Sequence, residues 1–208
     1  MGYYPVALDL SGRPVIVVGG GAVAERKVEG LLEAGARVSV VAPRVTPRLA
    51  ALAGEGRLRH IAREYRDGDV EGHDLVFIAA DDTTVSRAVG DEAHARRAWV
   101  NAADDPAHCD FILPSVLRRG DLVVAVTTGG ASPALARAVR ERLESVITED
   151  YAALTALVAD VRRELRASAA SPDAAVWSRA LDEDLQHLVR TGRAEEARQR
   201  LRERLGAA

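Results

Sequence analysis

A β-branched run that ends in three glycines is the feature that most constrains what this chain can fold into. Residues 15–18 read Val-Ile-Val-Val, Gly19-Gly20-Gly21 follows, and residues 22–34 have the composition of a helix. A second strand is predicted over Arg37–Val41. Strand, helix and strand in this order form a β-α-β unit, so the N-terminal part is predicted to contain a parallel sheet.

The alternation of strands and helices continues for about half of the chain. Strands are predicted over 74–80 and 99–101, because both segments are short and apolar. The helix between them has Thr83 or Thr84 near its cap. This pattern extends the predicted parallel sheet by two strands.

The second half of the chain carries a different pattern. Apolar segments at 111–117 and 122–127 flank the polar turn 118–121, which is typical of a β-hairpin. A helix is predicted over 133–149, and nothing beyond it has a strand signal. Apolar spacing there marks three more helices, around 154–165, 176–188 and 194–205, with a linker at 168–172. The predicted fold is therefore α/β, with a parallel sheet first, then a small α+β part and a helical C-terminal part.

Composition and charge narrow the class of protein. With 208 residues, 48% of them hydrophobic, and a net charge of −3, the chain can bury a substantial core but has no field that would gather nucleic acid or an anionic membrane. No apolar run approaches the length of about 20 residues that a membrane span needs, and the first five residues do not resemble a signal peptide. We expect a soluble, cytoplasmic protein. All basic residues except Lys27 are arginine, an excess that genomic base composition explains.

Residues that could carry metal or redox chemistry are sparse. Cys109 is the only cysteine, so the chain can form neither an internal disulfide nor a thiolate metal cluster. The five histidines show no zinc-binding spacing, and the consecutive residues His108, Cys109 and Asp110 rarely point at one metal. We expect no protein-bound metal, and redox chemistry would need a cofactor.

The glycine loop predicts a dinucleotide site. Gly19, Gly21 and Ala24 fit the G-x-G-x-x-A fingerprint, in which the glycines allow a tight turn and the approach of a pyrophosphate, and the alanine allows close helix–sheet packing. The acid that usually binds the ribose is missing, because residues 40–44 read Val-Val-Ala-Pro-Arg. Arg44 either pairs with a 2′-phosphate, which would favour NADP, or is an exposed charge, and both alternatives stay open at this point.

A polar cluster follows the strand at 99–101. Asn101 and Asp104 lie near that strand's carboxyl end, where parallel sheets bind ligands. Asp104 is a candidate general base, and an equally ordinary interpretation makes it the cap of a turn at Asp105-Pro106.

A second polar segment precedes the predicted helix at 133. Hydroxyl and N–H groups of Thr127, Thr128 and Gly129 could bind a carboxylate while Ser132 caps the helix. Arg137 and Arg140 would suit an anionic substrate, but arginines on such a helix are more often solvated or paired with neighbouring glutamates.

Together these segments closely resemble the siroheme synthase family, specifically its precorrin-2 dehydrogenase/sirohydrochlorin ferrochelatase module. The resemblance rests on residues 19–27, 101–106, 111–114, 127–133 and 135–137, in the family's order and spacing. It implies a Rossmann-type NAD-binding domain over 1–113, a dimerisation domain over 114–146 that pairs two subunits, and a helical C-terminal domain over 147–208. It does not extend to the methyltransferase domain that is fused to some members, so we expect no synthesis of precorrin-2.

The resemblance also implies roles for individual residues. The expected cofactor is NAD rather than NADP, and Asp104 is the expected catalytic residue. The cofactor contacts are expected at Gly19, Gly21, Ala22, Val23, Pro43 and Arg44. The substrate contacts are expected at Asn101, Thr127, Thr128, Gly129, Ser132 and Arg137.

The implied activity is oxidation of precorrin-2 to sirohydrochlorin, in siroheme or cobalamin biosynthesis. Some relatives also insert ferrous or cobaltous ion into the product as a substrate, and others only dehydrogenate, so ferrochelatase activity stays open. Two other interpretations remain. One is an NAD-sensing regulatory Rossmann module without catalysis, and the other is a dehydrogenase of small hydroxy acids, which the missing catalytic histidine disfavours.

Overall fold

The chain forms two compact units, Met1–Leu113 and Pro114–Ala208. The computed structural model describes residues 2–103, 105, 109–168 and 172–206. Each unit has its own hydrophobic core. In the described part of the chain, no helix is both long and apolar enough to cross a membrane.

The N-terminal unit is a sheet of five parallel strands in the order β3-β2-β1-β4-β5. Its elements in chain order are β1 (Pro14–Val18), α1 (Ala22–Glu33), β2 (Arg37–Val41), α2 (Pro47–Gly54), β3 (Arg59–Ile61), β4 (Leu75–Ile78), α3 (Thr83–Ala95) and β5 (Trp99–Ala102). The strand order reverses between β1 and β4, which is the position where sheets of this type bind ligands. The predicted Rossmann-type fold is confirmed.

Side chains of successive residues in β1 enter different cores, so both faces of the sheet are covered. Val15 and Val17 pack with Ala24 and Val28 of α1 and with residues of α2. Ile16 and Val18 pack on the other face, with residues of α3. A parallel sheet buried on both faces requires continuous apolar strands, which explains the Val-Ile-Val-Val run.

The C-terminal unit combines a hairpin with helices. Its elements are β6 (Ser115–Arg119), β7 (Leu122–Val126), α4 (Pro133–Glu144), α5 (Asp150–Ala167), α6 (Ala174–Ala180), α7 (Glu183–Arg190) and α8 (Ala194–Arg204). The two strands are antiparallel, as predicted. Helices α5 to α8 share one core that includes Val161, Leu185 and Leu201.

The elements expected from the sequence differ from the structure at five points. Helix α2 and strand β3 were not predicted at all. The helix predicted over 133–149 ends at Glu144, and a new helix begins at Asp150. The single helix predicted around 176–188 is two helices, because Asp182 accepts a hydrogen bond from the Leu185 amide and caps α7. The cap of α3 is Asp82, one residue before the predicted threonines, and residues 169–171 of the predicted linker lie outside the described residues.

Candidate functional site

Two of the three consecutive glycines are required by the fold itself. Gly19 has φ +123°, and a Cβ there would lie 2.1 Å from the carbonyl oxygen of Ala79, which follows β4. A Cβ on Gly20 would lie 2.1 Å from the carbonyl oxygen of Arg44. Both positions must be glycine because the backbones after β1, β2 and β4 approach one another there.

Gly21 is not required by the fold. It is the N-cap of α1 with φ −82° and ψ −171°, a conformation open to any residue, and a Cβ there would meet nothing within 4 Å. No side chain caps α1, so its first N–H groups are not bonded by a cap. Open space and N–H groups at the positive end of a helix suit a pyrophosphate, so this loop fits a dinucleotide.

The connection after β2 packs against the glycine loop. The Thr46 amide donates to the Gly20 carbonyl at 3.0 Å, and the Gly19 amide donates to Val41 at 3.0 Å. Thr46 also caps α2, and its hydroxyl is hydrogen-bonded to the carboxylate of Glu25 on α1. Pro43 and Arg44 lie on this connection, and both are exposed. The residues expected to contact the cofactor are therefore brought together around the N-terminus of α1.

Near the carboxyl end of β5, Asn101 is buried, and both the oxygen and the nitrogen of its side-chain amide are hydrogen-bonded. It is 6% exposed, and Glu92 is the only other polar side chain buried among the described residues. Its Oδ1 accepts a hydrogen bond of 2.6 Å from Lys27 Nζ on α1, and its Nδ2 donates to the Phe111 carbonyl at 2.9 Å. The Lys27 ammonium also lies 5.2 Å from the centre of the Phe77 ring. Sequence reasoning did not identify Lys27 as part of the site; its being the only lysine was the available signal.

Cys109 and Asp110 lie beside β5. The Asp110 amide donates to the Val100 carbonyl at 2.9 Å, and the Asp110 carboxylate accepts from the Val100 amide at 2.8 Å. The Cys109 sulfur accepts from the Ala102 amide at 3.1 Å, and burial raises the pKa of this thiol, which keeps it protonated. Asp104 itself lies outside the described residues.

Of the other expected substrate contacts, four lie in the turn between β7 and α4 and one lies on α4. The Thr128 hydroxyl accepts from the Ser132 amide at 2.9 Å and lies 3.1 Å from the Ser132 carbonyl, while Thr127 Oγ1 accepts from the Gly129 amide at 3.1 Å. Ser132 caps α4, as predicted, by accepting from the Leu135 amide at 3.2 Å. Arg137 has a 74% exposed side chain that lies 3.9 Å from Glu141. The structure therefore brings Thr127, Thr128, Gly129 and Ser132 together as one ordered turn, which both threonine hydroxyls stabilise. Arg137 lies apart from this turn, on α4.

Two cavities of the N-terminal unit lie at the amino ends of the strands, away from the glycine loop. They have volumes of about 300 and 520 Å³, and their linings include Arg13 and Trp99 in one and Arg37 and Arg59 in the other. These residues precede or begin the strands, whereas ligands of parallel sheets bind at the carboxyl ends. Within the described ranges, no three metal-binding side chains come together.

Comparison with known proteins agrees with this geometry. Residues 6–115 match the model of a family described as NAD(P)-binding, and residues 119–145 match one described as the central part of a sirohaem biosynthesis protein. The chain is 45% identical over 162 residues to the siroheme synthase of Methylobacillus flagellatus, covering 78% of this chain and 35% of that protein. It is 42% identical over 209 residues to the siroheme synthase of Thioalkalivibrio sulfidiphilus, covering 99% of this chain and 42% of that protein.

A solved structure matches along almost the entire chain. SirC, a precorrin-2 dehydrogenase, superposes with a TM-score of 0.77 at 28% sequence identity, covering 97% of this chain and 100% of that one. The chain spans less than half the length of the siroheme synthases that it matches. These matches confirm the predicted resemblance to the siroheme synthase family.

Proposed function

Since the chain belongs to the NAD(P)-binding family matched by its residues 6–115, we propose that it is an NAD-dependent precorrin-2 dehydrogenase, which oxidises precorrin-2 to sirohydrochlorin. The observation that supports a dinucleotide cofactor is Gly21, a glycine that the fold does not need, at the uncapped N-terminus of α1. The observation that supports the substrate is the match with SirC over nearly the full chain.

The cofactor is held by backbone more than by charged side chains. The amides that follow Gly21, at Ala22 and Val23, would hold the pyrophosphate at the positive end of α1. Gly19 keeps the loop close to β4. Pro43 and Arg44 would contact the adenosine end. The resemblance to the siroheme synthase family favours NAD over NADP and outweighs exposed Arg44, because an isolated arginine gives only weak selectivity for a 2′-phosphate. When bound, NAD accepts a hydride from the substrate.

Oxidation of precorrin-2 removes one hydride and one proton. Asp104 takes the proton or orients the ring that loses it. Asn101 lies near the carboxyl end of β5, three residues before Asp104, and also contacts the macrocycle. The substrate carries eight carboxylates around the macrocycle. Polar groups before α4 recognise some of them, at Thr127, Thr128, Gly129 and Ser132. The exposed guanidinium of Arg137 recognises others.

The C-terminal unit leaves apolar surface uncovered in a single chain. In the described part of its hairpin, Leu117 is the one fully buried side chain, and in α4 only Ala136 is buried. Val123 and Leu135 are about half exposed, at 47% and 55%. This surface supports a homodimer, with residues 114–146 as the dimerisation domain and 147–208 as a separate helical domain. The expected location is the cytoplasm.

A spectrophotometric assay tests the proposed function. The chain is mixed with precorrin-2 and either NAD or NADP without oxygen, and reduced cofactor and sirohydrochlorin are followed by their absorbance. We expect turnover with NAD that exceeds turnover with NADP. NAD binding without turnover would favour the regulatory module, and comparable or better turnover with NADP would overturn the cofactor preference. Parallel samples of sirohydrochlorin with ferrous or cobaltous ion show whether metal insertion is a second activity.

A further inference from the structure

Lys27 links the helix of the cofactor loop to Asn101, near the carboxyl end of β5. It lies in the second turn of α1, five residues after the N-terminal alanine, and is half-buried. Its ammonium donates 2.6 Å to Asn101 Oδ1, and it lies 5.2 Å from the centre of the Phe77 ring. One cation therefore contacts side chains of two neighbouring strands, β4 and β5.

The identity of this cation matters in this chain. Of its 28 basic residues, 27 are arginine and one is lysine. An ammonium is a compact point charge on a flexible stem, whereas a guanidinium is a planar fork. A short contact with an amide oxygen beside an aromatic ring suits an ammonium. A bias toward arginine elsewhere in the chain does not account for the retention of lysine where this contact is made.

The contact fixes the orientation of the Asn101 amide. With Oδ1 bonded to Lys27, Nδ2 is directed to the Phe111 carbonyl, 2.9 Å away. Phe111 is packed edge-on against Phe77, with ring centres 5.6 Å apart. The amide thus joins β5 to the backbone at Phe111, ten residues further along the chain. Loss of the Lys27 contact would leave a buried carbonyl oxygen without its charged donor.

The electrostatic influence of Lys27 also extends to Cys109. Burial is the main influence on the Cys109 thiol and raises its pKa, while the nearby Lys27 charge acts in the opposite direction. Lys27 therefore contacts Asn101 directly and acts electrostatically on Cys109.

We propose that Lys27 is a positioning residue for the dehydrogenation: by orienting the Asn101 amide it holds Asn101 and Phe111, which stand before and after residues 104–108 in the sequence, in place relative to the cofactor helix. This inference rests on the proposed function, because Asp104 follows Asn101 closely in the sequence. Lys27 itself transfers no proton and no hydride. Its contribution is to the rate of the chemical step and not to the affinity for NAD.

The test compares Lys27→Met, which keeps the apolar stem, with Arg26→Met, which removes an exposed charge on the same helix. Hydrogen exchange of the chain without cofactor is measured by mass spectrometry, with attention to residues 99–111. We expect Lys27→Met to speed exchange there by about tenfold, as expected when a charge-assisted hydrogen bond is lost, with the rest of the N-terminal unit unchanged. Arg26→Met leaves exchange unchanged.

Single-turnover oxidation of precorrin-2 at saturating NAD is the second measurement. We expect Lys27→Met to lower this rate by about tenfold or more, with NAD affinity within about threefold of the wild type. Lys27→Arg keeps the charge and serves as the second variant in case Lys27→Met does not fold. We expect it to show the same local effects to a smaller extent, because the planar guanidinium does not reproduce the contact.

Three results would overturn the role of Lys27. They are unchanged exchange over 99–111, an unchanged single-turnover rate, or a parallel loss of NAD affinity and of protection throughout the N-terminal unit. A wild-type chain that does not oxidise precorrin-2 at all would instead refute the proposed function, and the exchange measurement would still report whether Lys27 holds Asn101 and Phe111.

Discussion

Gly20 and Gly21 are adjacent residues that are glycine for different reasons. A side chain on Gly20 would overlap the Arg44 carbonyl, whereas a Cβ on Gly21 would meet no atom within 4 Å. The fold explains Gly20. The proposed pyrophosphate explains Gly21, since its N-cap conformation is one that other residues adopt readily.

Substitution of Gly21 should therefore separate folding from cofactor binding. Gly21→Asp introduces a favourable N-cap residue, so we expect the free energy of unfolding to stay within about 0.5 kcal/mol of the wild type or to rise. The carboxylate would occupy and repel the pyrophosphate position, so NAD affinity should fall by about 100-fold or more. Denaturant unfolding and calorimetric titration with NAD measure the two quantities.

Gly20→Ala is the matched control. Its Cβ would lie 3.0 Å from the Ala42 side chain as well as against the Arg44 carbonyl, so we expect a loss of about 1–3 kcal/mol in stability from overpacking. Unchanged NAD affinity in Gly21→Asp would remove this loop from the proposed site.

Asp104→Asn tests the proposed proton acceptor. Asparagine keeps the shape of the side chain and removes the base, so we expect folding and NAD affinity to be nearly unchanged. The single-turnover rate of precorrin-2 oxidation should fall by about 100-fold or more, the usual effect of losing a general base. A rate within a few-fold of the wild type would return Asp104 to the alternative role of a turn cap.

Among the elements, those with a strong local sequence pattern were predictable, whereas β3 and α2 were not. β1, β2 and α1 follow directly from a β-branched run, a glycine turn and helical spacing. β3 has three residues at the edge of the sheet, and α2 has eight, too few to show a period. The same limit holds for the site: the glycine loop is local in sequence, whereas the contact between Lys27 and Asn101 joins residues 74 positions apart and exists only after packing.

The break between α6 and α7 depends on Asp182, and its role can be measured. The amide of Leu185, together with Arg200, holds the pKa of the Asp182 carboxyl below its ordinary range. A carboxyl whose pKa is lower in the folded state than in the unfolded state stabilises the folded state fully at neutral pH. This stabilisation is lost as the pH falls below about 4 and the carboxyl becomes protonated. We expect Asp182→Ala to cost about 1 kcal/mol at pH 7 through loss of the cap.

Asp182→Asn is the control, because asparagine also caps helices but carries no charge. It should retain most of the stability at pH 7 and should show a smaller loss than the wild type between about pH 5 and pH 2. Trp177 fluorescence in a Trp99→Phe background reports the C-terminal unit alone, since the chain has two tryptophans. An identical pH dependence in the wild type and Asp182→Asn would contradict this account.

At the scale of the whole molecule, the proposed homodimer follows from apolar side chains that one chain leaves exposed. Light scattering should give about twice the chain mass of 22.2 kDa. Leu135 on α4 is 55% exposed. Leu135→Asp places a charge in the proposed interface and should produce a monomer. Leu181→Asp, at a 39% exposed leucine outside the hairpin and α4, should remain dimeric. A monodisperse wild-type monomer at micromolar concentration would contradict the proposal.

If this chain couples NAD reduction to precorrin-2 oxidation, the two products of a single turnover form in a fixed ratio. With the chain and NAD in excess over precorrin-2 and oxygen excluded, NADH and sirohydrochlorin are quantified after the reaction ends. The account predicts one NADH per sirohydrochlorin, because the oxidation releases one hydride and one proton. Binding of NAD with no NADH formed, or sirohydrochlorin formed without an equal amount of NADH, would contradict it.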